Sequence, residues 1–449
     1  MRIQKLSEIV NWRLCIGCGV CRYVCPEDRV VLWDFPTEGI RPVADESQCG
    51  ECRQCVDVCP VVRCDFTANE DTDRLPFANG PEDMESLSKE WGPVLEIWEG
   101  HAADPEIRFL GSSGGVLTAL GAYCVEKGGM HGVLHIGQDP DNPIRNRTFL
   151  SRSRQELVAK TGSRYSPASI CDRLDLVEGA PGPCVIIGKP GEIAALRKAQ
   201  VLKAELAEKV GVALSFFCAE SPSTAGTVAL LARMGIPPDV VADLRYRGRG
   251  WPGYFSALRR GESEPRERMT YRDSWSFLQA YRPWSVHFWP DGSGEMADIS
   301  CGDPWYREPD GENPGSSLVV VRTERGRKIV SGAVETGYIT LTLSEPGKLC
   351  ASQPNLTEKK RAAWGRLLAL RLLGLPVPCF LGAHLFRCWL DLPANGKLKS
   401  VFGTARRVLA RKFYRPLQLD LTSAVRVTSG AKEAETESPA DAGSHRMTR

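Results

Sequence analysis

CIGCGVCRYVCPEDRV, residues Cys15 to Val30, holds four cysteines at the spacing Cys15-x2-Cys18-x2-Cys21-x3-Cys25 and follows the last with Pro26. The same pattern returns as Cys49-x2-Cys52-x2-Cys55-x3-Cys59, again closed by a proline, Pro60. Three thiolates in a tight loop suit three corners of an iron–sulfur cube, and the fourth corner has to be reached from elsewhere in the chain. Gly17 and Gly19 let the backbone wrap closely and aim N–H groups at sulfur. Zinc also takes CxxC pairs. A zinc site, however, gives no reason for duplicated third and fourth cysteines with trailing prolines. Cys64, just beyond the second run, reads as a small buried residue.

Both runs match the bacterial two-cluster ferredoxin spacing, in which the fourth cysteine of each run ligates the other cluster. The pattern therefore predicts one 4Fe-4S cluster on Cys15, Cys18, Cys21 and Cys59. It predicts a second on Cys49, Cys52, Cys55 and Cys25. Clusters pass single electrons, so a two-electron reaction needs a converter such as a flavin elsewhere in the chain.

The remaining composition is that of an ordinary globular protein. There are 449 residues, enough for two to four domains, with 42% hydrophobic and 25% charged residues. A net charge of +2 gives no reason to expect nucleic acid as the main partner. The opening MRIQKLSEIVNWRLC has no apolar run behind its basic residues, so no secretory signal is expected. No run of about 20 apolar residues predicts a membrane span. Seventeen cysteines clustered toward the N-terminus suggest metal sites in a reducing compartment, so a cytoplasmic location is expected.

Residues 1–66 form the expected two-cluster domain, of α+β ferredoxin-like class, and the acidic stretch 67–90 reads as a linker. Residues 91–345 alternate strand and helix signals. GGVLTALGAYCVEKG (Gly114 to Gly128), GEIAALRKAQVLKAELAEKV and STAGTVALLARMG read as helices; HGVLHIG, PCVIIG, VGVALSFFC, SLVVVRT and YITLTLS read as strands. That alternation predicts an α/β core, a mixed sheet with flanking helices. Asp239 to Arg327 is rich in Gly, Pro, Arg and Trp and reads mostly as loops. Residues 346–430 form a basic helical segment in which Asp391 is the lone acid between Lys359 and Arg415. It suits a helix packed on the core with solvated arginines, or a surface for anionic lipid or an acidic partner. Residues 431–449 read as a disordered tail.

GSSGGVLTAL, from Gly111, is a glycine- and serine-rich turn feeding a helix, suited to a phosphate or to a simple helix cap. It is not GxGxxG, so no Rossmann fingerprint is assigned. SRYSP, VIIGKPGEIAALRK, LSFFCAE, YRGRGWPG, PDGSGEMADISCGDPW and GSSLVVVRTERG follow in that order. Behind a two-cluster segment, this series resembles the coenzyme F420 hydrogenase/dehydrogenase beta-subunit family, over roughly residues 1–66 and 91–330. The resemblance implies an FAD-containing iron–sulfur oxidoreductase exchanging electrons between a ferredoxin-type donor and a deazaflavin or an organic substrate. It implies flavin contacts at Ser112, Ser113, Gly114 and Gly115, at Ser163, Arg164 and Tyr165, at Arg247 and Gly248, and at Asp298, Ile299, Gly302 and Asp303. No catalytic acid–base pair is assigned.

The chain departs from the family where a third cluster beside the flavin is expected. Gly191 stands in one cysteine position, Val286 and Trp289 in two more, and Cys218 alone remains. Three losses should abolish that site, with Cys218 left as a small apolar remnant. Cys184, Cys301 and His287 are neighbours in sequence from which a rearranged site is conceivable. Two rival readings stand: a relay subunit with no substrate of its own, and a scaffold that keeps clusters for structure.

Overall fold

The structure is a computed structural model that describes residues 3–67, 83–309 and 314–427. The expected tail 431–449 and most of the expected linker lie outside these residues.

The N-terminal lobe starts with the helix Leu6–Asn11, which buries Leu6, Ile9 and Val10. Two one-turn helices, Val20–Tyr23 and Gln54–Asp57, carry the third cysteine of each run. Between the runs lies an antiparallel hairpin, β1 (Val30–Phe35) and β2 (Gly39–Ala44), with Val30 opposite Ala44. β3 (Arg63–Asp65) follows the second run.

The core has β4 (Glu96–Ala102), β5 (Gly132–Gln138), β6 (Asn146–Ser151), β7 (Cys184–Gly188) and β8 (Val210–Phe216). A separate three-stranded sheet holds β9 (Val241–Arg245), β10 (Tyr254–Arg259) and β11 (Arg268–Thr270). The main sheet is completed by β12 (Ile299–Gly302), β13 (Ser317–Val321) and β14 (Ile339–Leu343), in the order β14-β4-β13-β12-β8-β7-β5-β6. Its centre, β12-β8-β7-β5, is parallel, and the flanking pairs are antiparallel. Central parallel strands are covered on both faces, which is why VIIG and VALS are near-continuous apolar runs. Val185, Ile186, Leu214 and Ile299 are fully buried there. The parallel strands share one carboxyl edge, so Lys189 after β7, Cys218 after β8 and Asp303 after β12 leave the sheet on the same side. Open α/β sheets bind ligands on that side.

Three sequence expectations are corrected. The part of the linker that is described, Asp83–Trp91, is a helix, because Leu87 and Trp91 stand one turn apart and both are buried. The stretch 239–327 contains β9 to β12 and the helix Tyr271–Leu278; its strands are short and separated by glycine-rich turns, which hid their alternation. The single helix expected from Gly191 is two, Pro190–Leu202 and Ala204–Lys209, broken where Lys203 is extended.

The basic C-terminal segment forms the helices Pro354–Leu372, Leu385–Leu390 and Ala394–Ala410. It also adds β15 (Cys379–Leu381) parallel to β3 and β16 (Val425–Arg426) antiparallel to β1. One continuous apolar cluster joins all three parts, from Ile9 and Val20 through Ile186 and Trp289 to Ala363 and Val408. Lys360 and Glu295 pair at 2.7 Å with 3% and 5% of their side chains exposed.

Burial pushes the Glu295 carboxyl up to about 7 despite Lys360. Unfolded glutamate titrates near ~4.3. Between those values the folded chain keeps a proton that the unfolded chain has lost. Stability from this group is therefore greatest at the acid end and falls as pH rises to about 7. Glu295→Gln should flatten thermal midpoints measured between pH 5 and 7.5, leaving the similar slope of Asp172, which burial also pushes up to about 7. An unchanged slope would show that Glu295 is already ionised in the folded chain.

Candidate functional site

The eight run cysteines gather into two sets. Burial pushes the Cys18 and Cys21 thiols well above their usual range, and repulsion from the other sulfurs of Cys15, Cys18 and Cys59 adds to it. Cys59 is pushed up to about 12 by burial and by Cys15. Cys55 rises to about 11 through burial and then Cys25, Cys49 and Cys52. Cys59 thus lies beside the first run and Cys25 beside the second. Four crowded thiolates are costly without cations, and cluster iron supplies them. Among the described residues no group of three or more His, Cys, Asp or Glu side chains is close enough for a single metal ion. In a cube each thiolate serves its own iron.

The two sets differ in exposure. All four first-set cysteines are buried, whereas Cys52 is exposed and Cys25, Cys49 and Cys55 are half-buried. The first set is pressed into the core. Gly19, at φ +85, has room for no Cβ, which would meet Ser169 Oγ at 2.1 Å. The Cys171 N–H donates to the Cys18 carbonyl at 3.1 Å. Gly17 N–H points at Cys15 Sγ at 3.4 Å, and Lys198 Nζ donates to the Cys59 carbonyl at 3.1 Å.

A second constellation forms around the GSSGG turn. Ser112 Oγ accepts from Ser163 N–H at 2.6 Å, and Ser113 Oγ shares a hydrogen with Ser317 Oγ at 2.8 Å. Gly114 N–H donates to Ser317 Oγ at 2.9 Å, and Gly115, at φ +73, starts the helix Val116–Glu126 with no side-chain cap. Gly248 lies against the turn's approach, where a Cβ would come within 2.8 Å of the Leu110 carbonyl. Arg247 grips Asp303 with two hydrogen bonds, 2.9 and 2.6 Å, and Trp251 Nε1 donates to the same carboxylate at 2.8 Å. The Arg247 guanidinium lies 4.5 Å from the centre of the Tyr271 ring, which stacks on Trp305; Tyr165 OH is 3.5 Å from its Nη1.

Ser112, Ser113, Gly114, Gly115, Ser163, Tyr165, Arg247, Gly248 and Asp303 are therefore brought together. Arg164, Asp298 and Ile299 are engaged in contacts within the fold. Arg164 is spent on Asn146, Gln138 and the carbonyls of Leu244, Pro143 and Arg145. Asp298, at the other end of β12 from Asp303, accepts from Ala213 N–H, Arg197 and Thr323. Ile299 is fully buried between β8 and β13. Gly302 is a glycine because the Phe217 ring crosses it, 1.9 Å from where a Cβ would stand. Sequence reading missed Arg245, whose Nε lies 3.8 Å from the Asp243 carboxylate and whose Nη1 approaches Gly162. The signal was its spacing of two from Arg247 at the end of β9, which puts both on one face.

The place of the absent third cluster is filled. A Cβ on Gly191 would meet Ile16 of the first cysteine loop at 2.6 Å and the Trp289 indole at 3.5 Å. Cys184 begins β7, at the far end from Lys189, and Cys301 is buried inside β12. Among the described residues no group of three or more His, Cys, Asp or Glu side chains gathers around Cys218. Burial and neighbouring cations, Arg366 and Arg407, push His287 down to about 3, a neutral ring beside Trp284. Cys218 stays a neutral thiol, as a small apolar remnant would. Burial and then Glu220 push its thiol up to about 12, with Lys189 and Lys359 facing it.

Comparison with known proteins places names on this architecture. Residues 14–62 match a 4Fe-4S dicluster domain. Residues 97–174 match the N-terminal part, and 183–346 the C-terminal part, of the coenzyme F420 hydrogenase/dehydrogenase beta subunit. The coenzyme F420 hydrogenase subunit beta of Methanothermobacter thermautotrophicus is 24% identical over 64% of this chain and 99% of its own length. The coenzyme F420-dependent sulfite reductase of Methanocaldococcus jannaschii is 23% identical over 74% of this chain, which spans 47% of that relative. A chain of the F420-reducing NiFe hydrogenase complex from Methanosarcina barkeri overlays 60% of this chain and 93% of itself, at 19% identity and a TM-score of 0.45. Two family models that between them run from residue 97 to 346, behind a two-cluster segment, make this chain a member of the coenzyme F420 hydrogenase/dehydrogenase beta-subunit family.

Proposed function

We propose that this protein is an iron–sulfur flavoprotein oxidoreductase in which the surface cysteine set exchanges electrons with a redox partner, the buried set passes them inward, and FAD meets the substrate. The graded exposure of the two sets carries this reading: one faces outward, the other is pressed against the core. A ferredoxin-like protein fits the outer face, and a cytoplasmic location suits free thiols. Among the described residues no helix is long and apolar enough to cross a membrane.

The residues present suit FAD. An uncapped helix start after Gly115 offers N–H groups to a pyrophosphate, and Arg245, 3.8 Å from Asp243, lies close by. The Tyr271–Trp305 stack and Arg247 offer flat surfaces for a ring. Bound FAD would supply the change between one- and two-electron transfer. The chain's own part is to fix Asp303 through Arg247 and Trp251 and to keep the cleft walls rigid. The two-electron partner is a deazaflavin, as the names of the relatives suggest, or an organic substrate. A relay subunit without its own substrate is the rival, favoured by the relatives named as subunits.

The test is iron, acid-labile sulfide and FAD per chain, on protein purified without oxygen. About 8 iron and one FAD are expected. About 12 iron would mean that a third cluster forms after all. Full iron without flavin would leave a relay or a scaffold.

A further inference from the structure

The helix Ala394–Ala410, which lies beyond the last residue matched by the family models, is turned inside out. Its buried residues are Ser400, Thr404 and Val408, stacked one turn apart on one face. They approach the helix Pro354–Leu372 closely: a Cβ on Gly365 would stand 2.0 Å from Ser400 Oγ. The hydroxyls on this face are satisfied. Ser400 Oγ donates to the Lys397 carbonyl at 2.7 Å and accepts from Trp389 Nε1 at 3.0 Å. Thr404 Oγ1 donates to the Ser400 carbonyl at 2.8 Å. A surface helix ordinarily keeps its large apolar side chains for the core.

Here they face outward. Leu398, Phe402 and Leu409 are 58%, 67% and 56% exposed. At 3.6 residues per turn the three fall within about 40° of one another, in a row about 16 Å long, away from the Thr404 face. Single exposed apolar residues are ordinary, whereas an aligned row marks an interaction surface. The charge around it has one sign. From Ala394 to Arg415 the chain has seven basic residues and no acidic one. Lys399 and Arg406 are exposed along one flank of the row, and Lys412 is exposed just past its end.

That combination selects the occupant. A second copy would bring like charges together across the contact. Residues 428–449 contain one large apolar side chain, Met447, and offer the row little to bury. An anionic bilayer answers both features: leucine and phenylalanine enter the acyl boundary while lysine and arginine reach the headgroups. We propose that this face binds the surface of an anionic lipid bilayer, with the helix Ala394–Ala410 lying in the headgroup plane. The chain after the helix ties back to the cluster lobe, where Leu417 N–H donates to the Asn11 carbonyl at 2.7 Å and Arg13 Nη1 to the Arg415 carbonyl at 3.0 Å. Binding therefore holds the cluster lobe at the membrane. None of this rests on the flavoprotein reading.

The full chain, purified without oxygen and with its iron counted, should be sedimented with vesicles of phosphatidylcholine alone and of phosphatidylcholine and phosphatidylglycerol in equal parts. It should pellet with the mixed vesicles, stay in solution with the neutral ones, and release as salt is raised. Phe402→Ser with Leu409→Ser should weaken binding at least about tenfold, and Lys399→Gln with Arg406→Gln should do so by about tenfold or more. Both double variants change exposed side chains and should keep full iron and an unchanged thermal midpoint. If either loses iron, Leu398→Gln replaces it, with weaker binding again expected. Equal binding to both kinds of vesicle, no binding to the mixed ones, or binding indifferent to these substitutions overturns the proposal. Self-association that Phe402→Ser abolishes, without vesicle binding, would give the face to a second copy. Binding to polyglutamate in place of vesicles would give it to an acidic protein. Either result overturns the lipid assignment.

Discussion

Replacing Cys59 by serine should remove the buried cluster and spare the exposed one, although Cys59 belongs to the second cysteine run. Its sulfur lies with Cys15, Cys18 and Cys21. Iron should fall by about half, from about 8 to about 4. The surviving cluster should be the one that a chelator or oxygen bleaches quickly, since Cys52 is exposed. Cys25→Ser should do the opposite and leave the slowly bleached cluster. The structural cost is also unequal. The first set is part of the continuous apolar cluster that includes Val20, Ile170 and Ile193, so its loss leaves buried thiols and an emptied space. Cys59→Ser should therefore lower the thermal midpoint far more than Cys25→Ser. If each variant lost the cluster of its own run, the crossed arrangement would be wrong.

The second large effect is expected at Asp303. Arg247 is buried, and its two hydrogen bonds to Asp303 are what offset its desolvation. Asp303→Ala leaves that guanidinium unpaired, which costs about 3–5 kcal/mol by the precedent of broken buried pairs. Trp251 Nε1 loses its acceptor as well. Denaturant melts should record the loss, and purified protein should lack flavin. The double variant Arg247→Met with Asp303→Leu should recover much of the stability, because no buried charge remains, but not the flavin. Full flavin retention in the double variant would move the FAD site away from this corner of the sheet.

The sequence carried the cluster motif because cysteine spacing is short-range, and two runs with prolines match a 4Fe-4S dicluster domain. The parallel strands were equally legible, since VIIG and VALS are apolar without alternation. The partners of Arg164 and Asp298 were not legible for a physical reason. A charged residue within a glycine-rich motif looks the same whether it meets a ligand or a carbonyl, and only the fold reveals that Arg164 is saturated by Leu244, Pro143 and Arg145. The strands between 239 and 302 were hidden by their short length and by the glycine-rich turns between them.

β15 lies beside β3 and β16 beside β1, so the last part of the chain clasps the lobe that opens it. Gly19 is locked against Ser169, and Asp34 of β1 pairs with Arg145 at 2.5 Å. An acidic tether alone would make the cluster lobe a swinging carrier whose delivery depends on diffusion. A clasped lobe is a fixed wire: the gap an electron must tunnel across is set by folding, and transfer within the chain should not slow as solvent viscosity rises.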